Sequence, residues 1–123
     1  MTAFPKDKAA RNPHLLAMAQ GMPCLLQAPP CNGNSDTVVS AHSNQAKHGK
    51  AKGRKAHDQY SVWACARCHT WLDQSYTASK AEKIAAFDAG HARQVVAWET
   101  IAADKRESPA DRRAAQWGID ELL

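Results

Sequence analysis

Between Thr37 and His57 the chain has no aspartate and no glutamate. Nothing within that span offsets the charge of its own Lys47, Lys50, Lys52, Arg54 and Lys55. Long apolar runs are missing as well, which excludes a membrane-spanning segment. The opening MTAFPKDKAARN lacks the apolar core of a signal peptide. A soluble cytoplasmic protein with no membrane partner is therefore expected. Large hydrophobes are scarce from residue 29 to residue 60, so that third of the chain needs another source of order. Cysteines number only four, and in a reducing compartment they are not expected to form structural disulfides. Internal repeats are absent.

What remains is compatible with one compact unit, a single domain over residues 1–123. A net charge of +4 and a pI near 9.0 permit a polyanionic partner.

The cysteines fall in two pairs. Cys24 and Cys31 bracket the loop PCLLQAPPCNGN, and Cys65 and Cys68 form a CxxC knuckle. Two such pairs on either side of an apolar-poor stretch read as a structural four-cysteine zinc site, since thiolates suit zinc and tetrahedral closure ties distant segments together. Such a site supplies the order the middle of the chain lacks. A thioredoxin-like reading of the CxxC is disfavoured because no βαβ pattern surrounds it.

Three helices are expected from their ends. Asn12 as cap, Pro13 at the first helical position and Gly21 as stop frame the first. Ser79 and Glu82 form a capping-box pattern that opens a helix over residues 80–103. Its apolar face is Ile84, Phe87, His91, Val95, Trp98 and Ile101, read as intramolecular core rather than as a partner-binding surface. Ser108-Pro109 opens a third helix, expected to stop at Gly118. Thr37–Ala41 and Gln59–Ala64 read as antiparallel strands, and Cys65–Gln74 as a helix. The polar connection of residues 42–58 is the kind of long loop that is functional or mobile.

His42 closes the first strand and His69 opens the helix after the knuckle. A strand–loop–strand–helix unit with one histidine on the first strand and another on the helix is a metal-dependent nuclease arrangement. One neutral imidazole takes a proton from water, and the other side chain holds a divalent ion that stabilises charge on the phosphate and the leaving oxygen. The basic loop leaves the site at His42 and returns just before Asp58, so its lysines and arginine are placed for phosphate contact. His48 and His57 are read as bystanders or phosphate contacts, and His14 and His91 as packing or surface residues.

Gly21…Cys24…Cys31-Asn32-Gly33-Asn34…Thr37…Ala41-His42, Asp58, and Ala64-Cys65-x-x-Cys68-His69-x-x-Leu72-Asp73 together resemble the YbcO-type nucleases of phages and prophages. Those in turn resemble a branch of the HNH, or His-Me finger, endonucleases. The resemblance covers residues 14–77, and its most specific pieces are CNGN and CxxCHxxLD. It implies that Cys24, Cys31, Cys65 and Cys68 form a scaffold zinc knuckle, that His42 is the general base and that His69 ligates the catalytic metal. Asp73, four residues on and on the same helix face, is a candidate second ligand, and an oxygen donor there suits Mg²⁺ or Mn²⁺. The position before His42, where most such enzymes carry an acid or a histidine, is Ala41. Asp58 is a candidate to replace the missing ligand or to orient His42; Asn44 sits too near His42 to match the family position.

The expected fold is α+β: a zinc-stabilised ββα-metal core over residues 12–77, with an N-terminal helix and added C-terminal helices over 79–118. The expected function is metal-dependent hydrolysis of phosphodiester bonds in nucleic acid, DNA first. The alternative is a zinc-finger-like nucleic-acid-binding protein without catalysis.

Overall fold

A computed structural model describes residues 8–123. The expectation that the first twelve residues carry no leader falls, for residues 1–7, outside the described part. The order of elements is α1 (Pro13–Ala17), a 3₁₀ turn (Ser35–Thr37), β1 (Val39–His42), a second 3₁₀ turn (Ala46–His48), β2 (Ser61–Ala64), α2 (Ala66–Gln74), α3 (Lys80–Ala103) and α4 (Pro109–Asp120). Helices and a two-stranded sheet make this an α+β structure.

β1 and β2 pair antiparallel, with Val39 opposite Ala64 and His42 opposite Ser61. An isolated pair of strands is marginal in water, and here the free edge of β2 is covered. The Trp63 carbonyl accepts from Leu25 N at 2.8 Å and Leu26 N at 3.2 Å. Trp63 N donates to the Gln94 side-chain oxygen at 2.8 Å. Gln94 is fully buried on α3, so one side chain closes the edge and anchors the long helix to it.

α3 has the expected bounds, because its start is written locally: Ser79 Oγ accepts from Glu82 N at 3.0 Å, and Glu82 reaches back to Ser79 N. Phe87, Trp98 and Ile101 are buried as expected, while Ile84, His91 and Val95 are half-buried, and Gly90 and Gln94 take the centre of the face. At Gly90, α3 lies close against the loop at Leu25 and Leu26. A Cβ there would lie 3.1 Å from Leu25 O and Leu26 Cα and 3.2 Å from a Val62 methyl. Alanine gains about 1 kcal/mol of helix propensity over glycine, but overpacking against backbone costs about 1–3 kcal/mol. Gly90→Ala is therefore expected to lower the melting temperature, and an unchanged or higher value would contradict this packing.

Four expectations are corrected. The first helix has five residues rather than running to Gly21: Asn12 Oδ1 caps Leu15 N at 3.0 Å as expected, but beyond Ala17 the chain tightens into i+3 turns such as Gln20 N to Ala17 O. Thr37 is not in the first strand. Its hydroxyl donates to Asn34 O at 2.9 Å and accepts from Ala66 N at 3.0 Å, so it supports the start of α2. The second strand begins at Ser61 rather than Gln59, because Tyr60 N closes a turn onto His57 O. Gly118 does not stop the last helix, which continues to Asp120. A Cβ at Gly118 would lie 3.1–3.4 Å from the Trp98 ring, so the glycine serves helix–helix approach rather than termination.

The connection of residues 43–60 is ordered by its own contacts. Ala51 and Arg54 form an antiparallel bridge. His48 stacks on Tyr60 with ring centroids 4.0 Å apart and pairs with Ser43 Oγ at 2.6 Å. Burial, with Lys47 beside it, pushes the His48 pKa down. His48 is thus a packing residue that folds the loop onto the core. His57 accepts from Ala10 N at 3.0 Å, His14 pairs with Asp111 at 2.6 Å, and His91 bonds the Gln59 carbonyl at 2.7 Å. No helix among the described residues is long and apolar enough to cross a membrane.

Candidate active site and metal centre

α2 carries chemistry on two sides. Towards the interior, Cys65 at its N-cap and Cys68 in its first turn meet Cys24 and Cys31. All four sulfurs lie within 4.8 Å of one another, with Cys31 and Cys65 3.9 Å apart. A tetrahedral zinc with Zn–S bonds of about 2.3 Å has sulfur–sulfur edges of about 3.8 Å, so the cluster fits such an ion with small inward movement. Cys24, Cys65 and Cys68 are buried, and no disulfide links the four.

The thiols are unequal. Burial pushes Cys65 up, but the backbone N–H groups of Cys68 and Asn32 and the neighbouring thiols outweigh it and bring it down to about 6. Burial dominates at Cys68 and raises it. It also raises Cys31. One thiolate, Cys65, is thus stabilised by the fold, while Cys31 and Cys68 hold protons that a dication would displace. Among the described residues this is the one group of three or more His, Cys, Asp or Glu donors close enough to share an ion. It can hold a metal ion such as zinc, in a closed set of four ligands with no position left for a substrate.

On the other side, His69 and Asp73 are one helical turn apart, with Nε2 to Oδ2 at 3.1 Å. Each shifts the other: the hydrogen bond to Asp73 raises His69, and the same bond holds Asp73 down, helped by Asn44 and by the charge of Lys50. Asn44 Nδ2 donates to Asp73 Oδ1 at 2.8 Å. Asn44 therefore belongs to this site through Asp73, an interaction that its position two residues after His42 does not announce.

His42, His69, Asp73, Asn44, Lys50 and Lys55 line one cleft of about 730 Å³. Behind His42 sits Asp58, only 1% exposed. Its Oδ1 meets His42 Nε2 at 2.8 Å and Arg11 Nη1 at 3.0 Å, and its Oδ2 accepts from Asn12 N at 2.7 Å. Burial alone would raise this carboxyl, but the bonds from His42, Asn12 and Arg11 outweigh it and lower its pKa. An ionised Asp58 can only accept, so Nε2 of His42 carries a proton towards it; in the neutral imidazole the lone pair is then on Nδ1. Oδ1 accepts two bonds and Oδ2 one, and the buried side chain does not line the cleft, so Asp58 is placed to hold His42.

Of the other loop cations, Lys47 and Lys52 are exposed outside the cleft lining and Arg54 is half-buried. Arg11 has no signal in the sequence and Asn12 reads there only as a helix cap, since they reach Asp58 across 47 and 46 residues. Arg11 also donates to the Lys55 carbonyl at 3.0 Å, linking the basic loop to the aspartate.

The chain matches the family model described as "Putative nuclease YbcO" over residues 14–107. The chain belongs to the YbcO family. The match takes in α3, so the long helix is part of the YbcO unit and not an addition to it; the resemblance that stops at residue 77 is too short. α4 lies outside the matched residues. The YbcO description makes nucleic acid the substrate to consider and hydrolysis the reaction. No curated protein and no solved structure matches the chain.

Proposed function

We propose that this protein is a metal-dependent endonuclease of the HNH type that hydrolyses phosphodiester bonds in DNA, with β1, β2 and α2 as a ββα-metal core. The observation that carries the reading is the convergence of His42, His69, Asp73, Lys50 and Lys55 on one cleft. Four sulfurs held by α2 and two preceding loops suit a structural zinc that fixes the helix against the sheet.

His42 takes a proton from the attacking water at Nδ1. Asp58 holds the imidazole in the required tautomer and stabilises the imidazolium that forms. Asp58 is itself held by Arg11 and Asn12. His69 and Asp73 offer one imidazole nitrogen and one carboxylate, both about 40% exposed (41% and 39%), a donor set that leaves room for water and substrate oxygens around Mg²⁺ or Mn²⁺. Such an ion supplies charge stabilisation on the phosphate and the leaving oxygen. Lys50 and Lys55 bind flanking phosphates, with Lys47, Lys52 and Arg54 extending the positive surface.

A second reading, nucleic-acid binding without cleavage, is favoured by Ala41. This residue is fully buried opposite Val62, so the strand supplies no acid beside His42. Incubation of supercoiled plasmid with the zinc-loaded protein separates the two. Nicking that requires added Mg²⁺ or Mn²⁺ supports the nuclease; tight binding with intact plasmid supports the binder. Under either reading, Lys50→Ala with Lys55→Ala should weaken DNA binding and flatten the slope of log affinity against log salt by about 0.9 for each phosphate no longer neutralised. An unchanged slope would remove these lysines from the interface.

A further inference from the structure

A second cavity, of about 310 Å³, shares Asn44 and Asp73 with the main cleft. Its apolar lining comes from Leu72 of α2 and from Ile84 and Phe87 of α3. Lys80 and Lys83, from the first turn of α3, add positive charge to the same lining. Gln45 brings an amide into it, fixed by a bond from Nε2 to Asp88 at 2.9 Å. Nothing in the chemistry assigned to His42, His69 or the basic loop uses this cavity.

We propose that this cavity receives one unpaired nucleobase of the substrate strand, next to the phosphate held at His69 and Asp73. The proposal rests on the nuclease reading and narrows its substrate to nucleic acid with at least one unpaired nucleotide beside the scissile bond. Three features carry it. The shared wall, Asn44 and Asp73, places the cavity one step from the proposed ion. Its size is at the small end of ligand pockets, which span about 300–1,000 Å³, so it suits a single base and not a base pair. Its make-up matches a nucleotide: an apolar surface for a ring face, an amide for a base edge, and lysines for the next phosphate. A base stacked within a duplex cannot reach such a cavity without leaving the stack, which makes an already unpaired position the favoured substrate.

The test measures binding to the full-length zinc-loaded protein without added Mg²⁺ or Mn²⁺, so that the strand stays intact. The probes are a DNA duplex, the same duplex carrying one unpaired 2-aminopurine, and the corresponding single strand. The unpaired probes are expected to bind about tenfold tighter than the duplex, with a change in 2-aminopurine fluorescence on binding. Ile84→Trp, which fills the cavity from its half-buried rim, and Lys80→Ala, which removes an exposed charge, should each reduce that preference and leave duplex binding within about twofold. Duplex bound as tightly as the unpaired probes, or a preference unchanged in both variants, would overturn this proposal and leave the nuclease reading standing. Failure to bind any of the three probes would overturn both.

Discussion

Cys68→Ser is expected to leave the protein without zinc and largely unfolded at temperatures where the wild type is folded. Four sulfurs gather the loop after α1, the turn ending at Cys31 and the first turn of α2, and three of the four are buried. Structural zinc contributes about 10–16 kcal/mol in small domains at neutral pH, against a total stability of about 5–15 kcal/mol for a typical protein. Losing a substantial part of the first quantity exceeds the second. β2 and α3 hold the first cysteine loop only at Leu25 and Leu26, and the stretch from residue 29 to residue 60 buries few large side chains: Val38 is one of the few. Metal analysis beside thermal denaturation checks this. About one zinc per wild-type chain, with loss of both zinc and the folding transition in the variant, is the expected pair of results. A variant that melts like the wild type, or a wild type that stays folded after its zinc is chelated, would contradict it.

His42→Ala is expected to reduce cleavage by about 10²–10⁴-fold, the usual contribution of a positioned general base, while DNA affinity changes little. The fold should survive the change. Asp58 loses one of its partners but keeps Arg11 and Asn12, so its buried charge is not abandoned. The same geometry explains why Asp58 is better placed to steer His42 than to bind an ion.

The parts of this molecule legible in its sequence are those specified by neighbours in the chain. Ser79 and Glu82 are three residues apart and define the start of α3 to the residue. The two cysteine pairs are visible by spacing, and the structure brings them within 4.8 Å. The parts that do not show are those decided across space. A glycine that ends a helix and a glycine that admits a tryptophan look alike in one dimension, so Gly118 reads as a stop although it faces Trp98. Thr37 looks like a strand residue until its hydroxyl is seen capping Ala66. His48 sits in a basic loop and reads as a bystander or a phosphate contact, and only the folded chain shows its ring stacked on Tyr60. Arg11 carries no motif at all; only the folded chain puts it on Asp58.

The most direct test of the catalytic role of His42 is single-turnover cleavage of a labelled DNA by wild-type protein and His42→Ala, both verified to contain zinc, with Mg²⁺ or Mn²⁺ added and binding measured on the same samples. Both proteins are expected to bind, and only the wild type to cleave at an appreciable rate. Equal cleavage by the two proteins, or bound and intact DNA with the wild type at every metal concentration, would contradict a nuclease that works through His42.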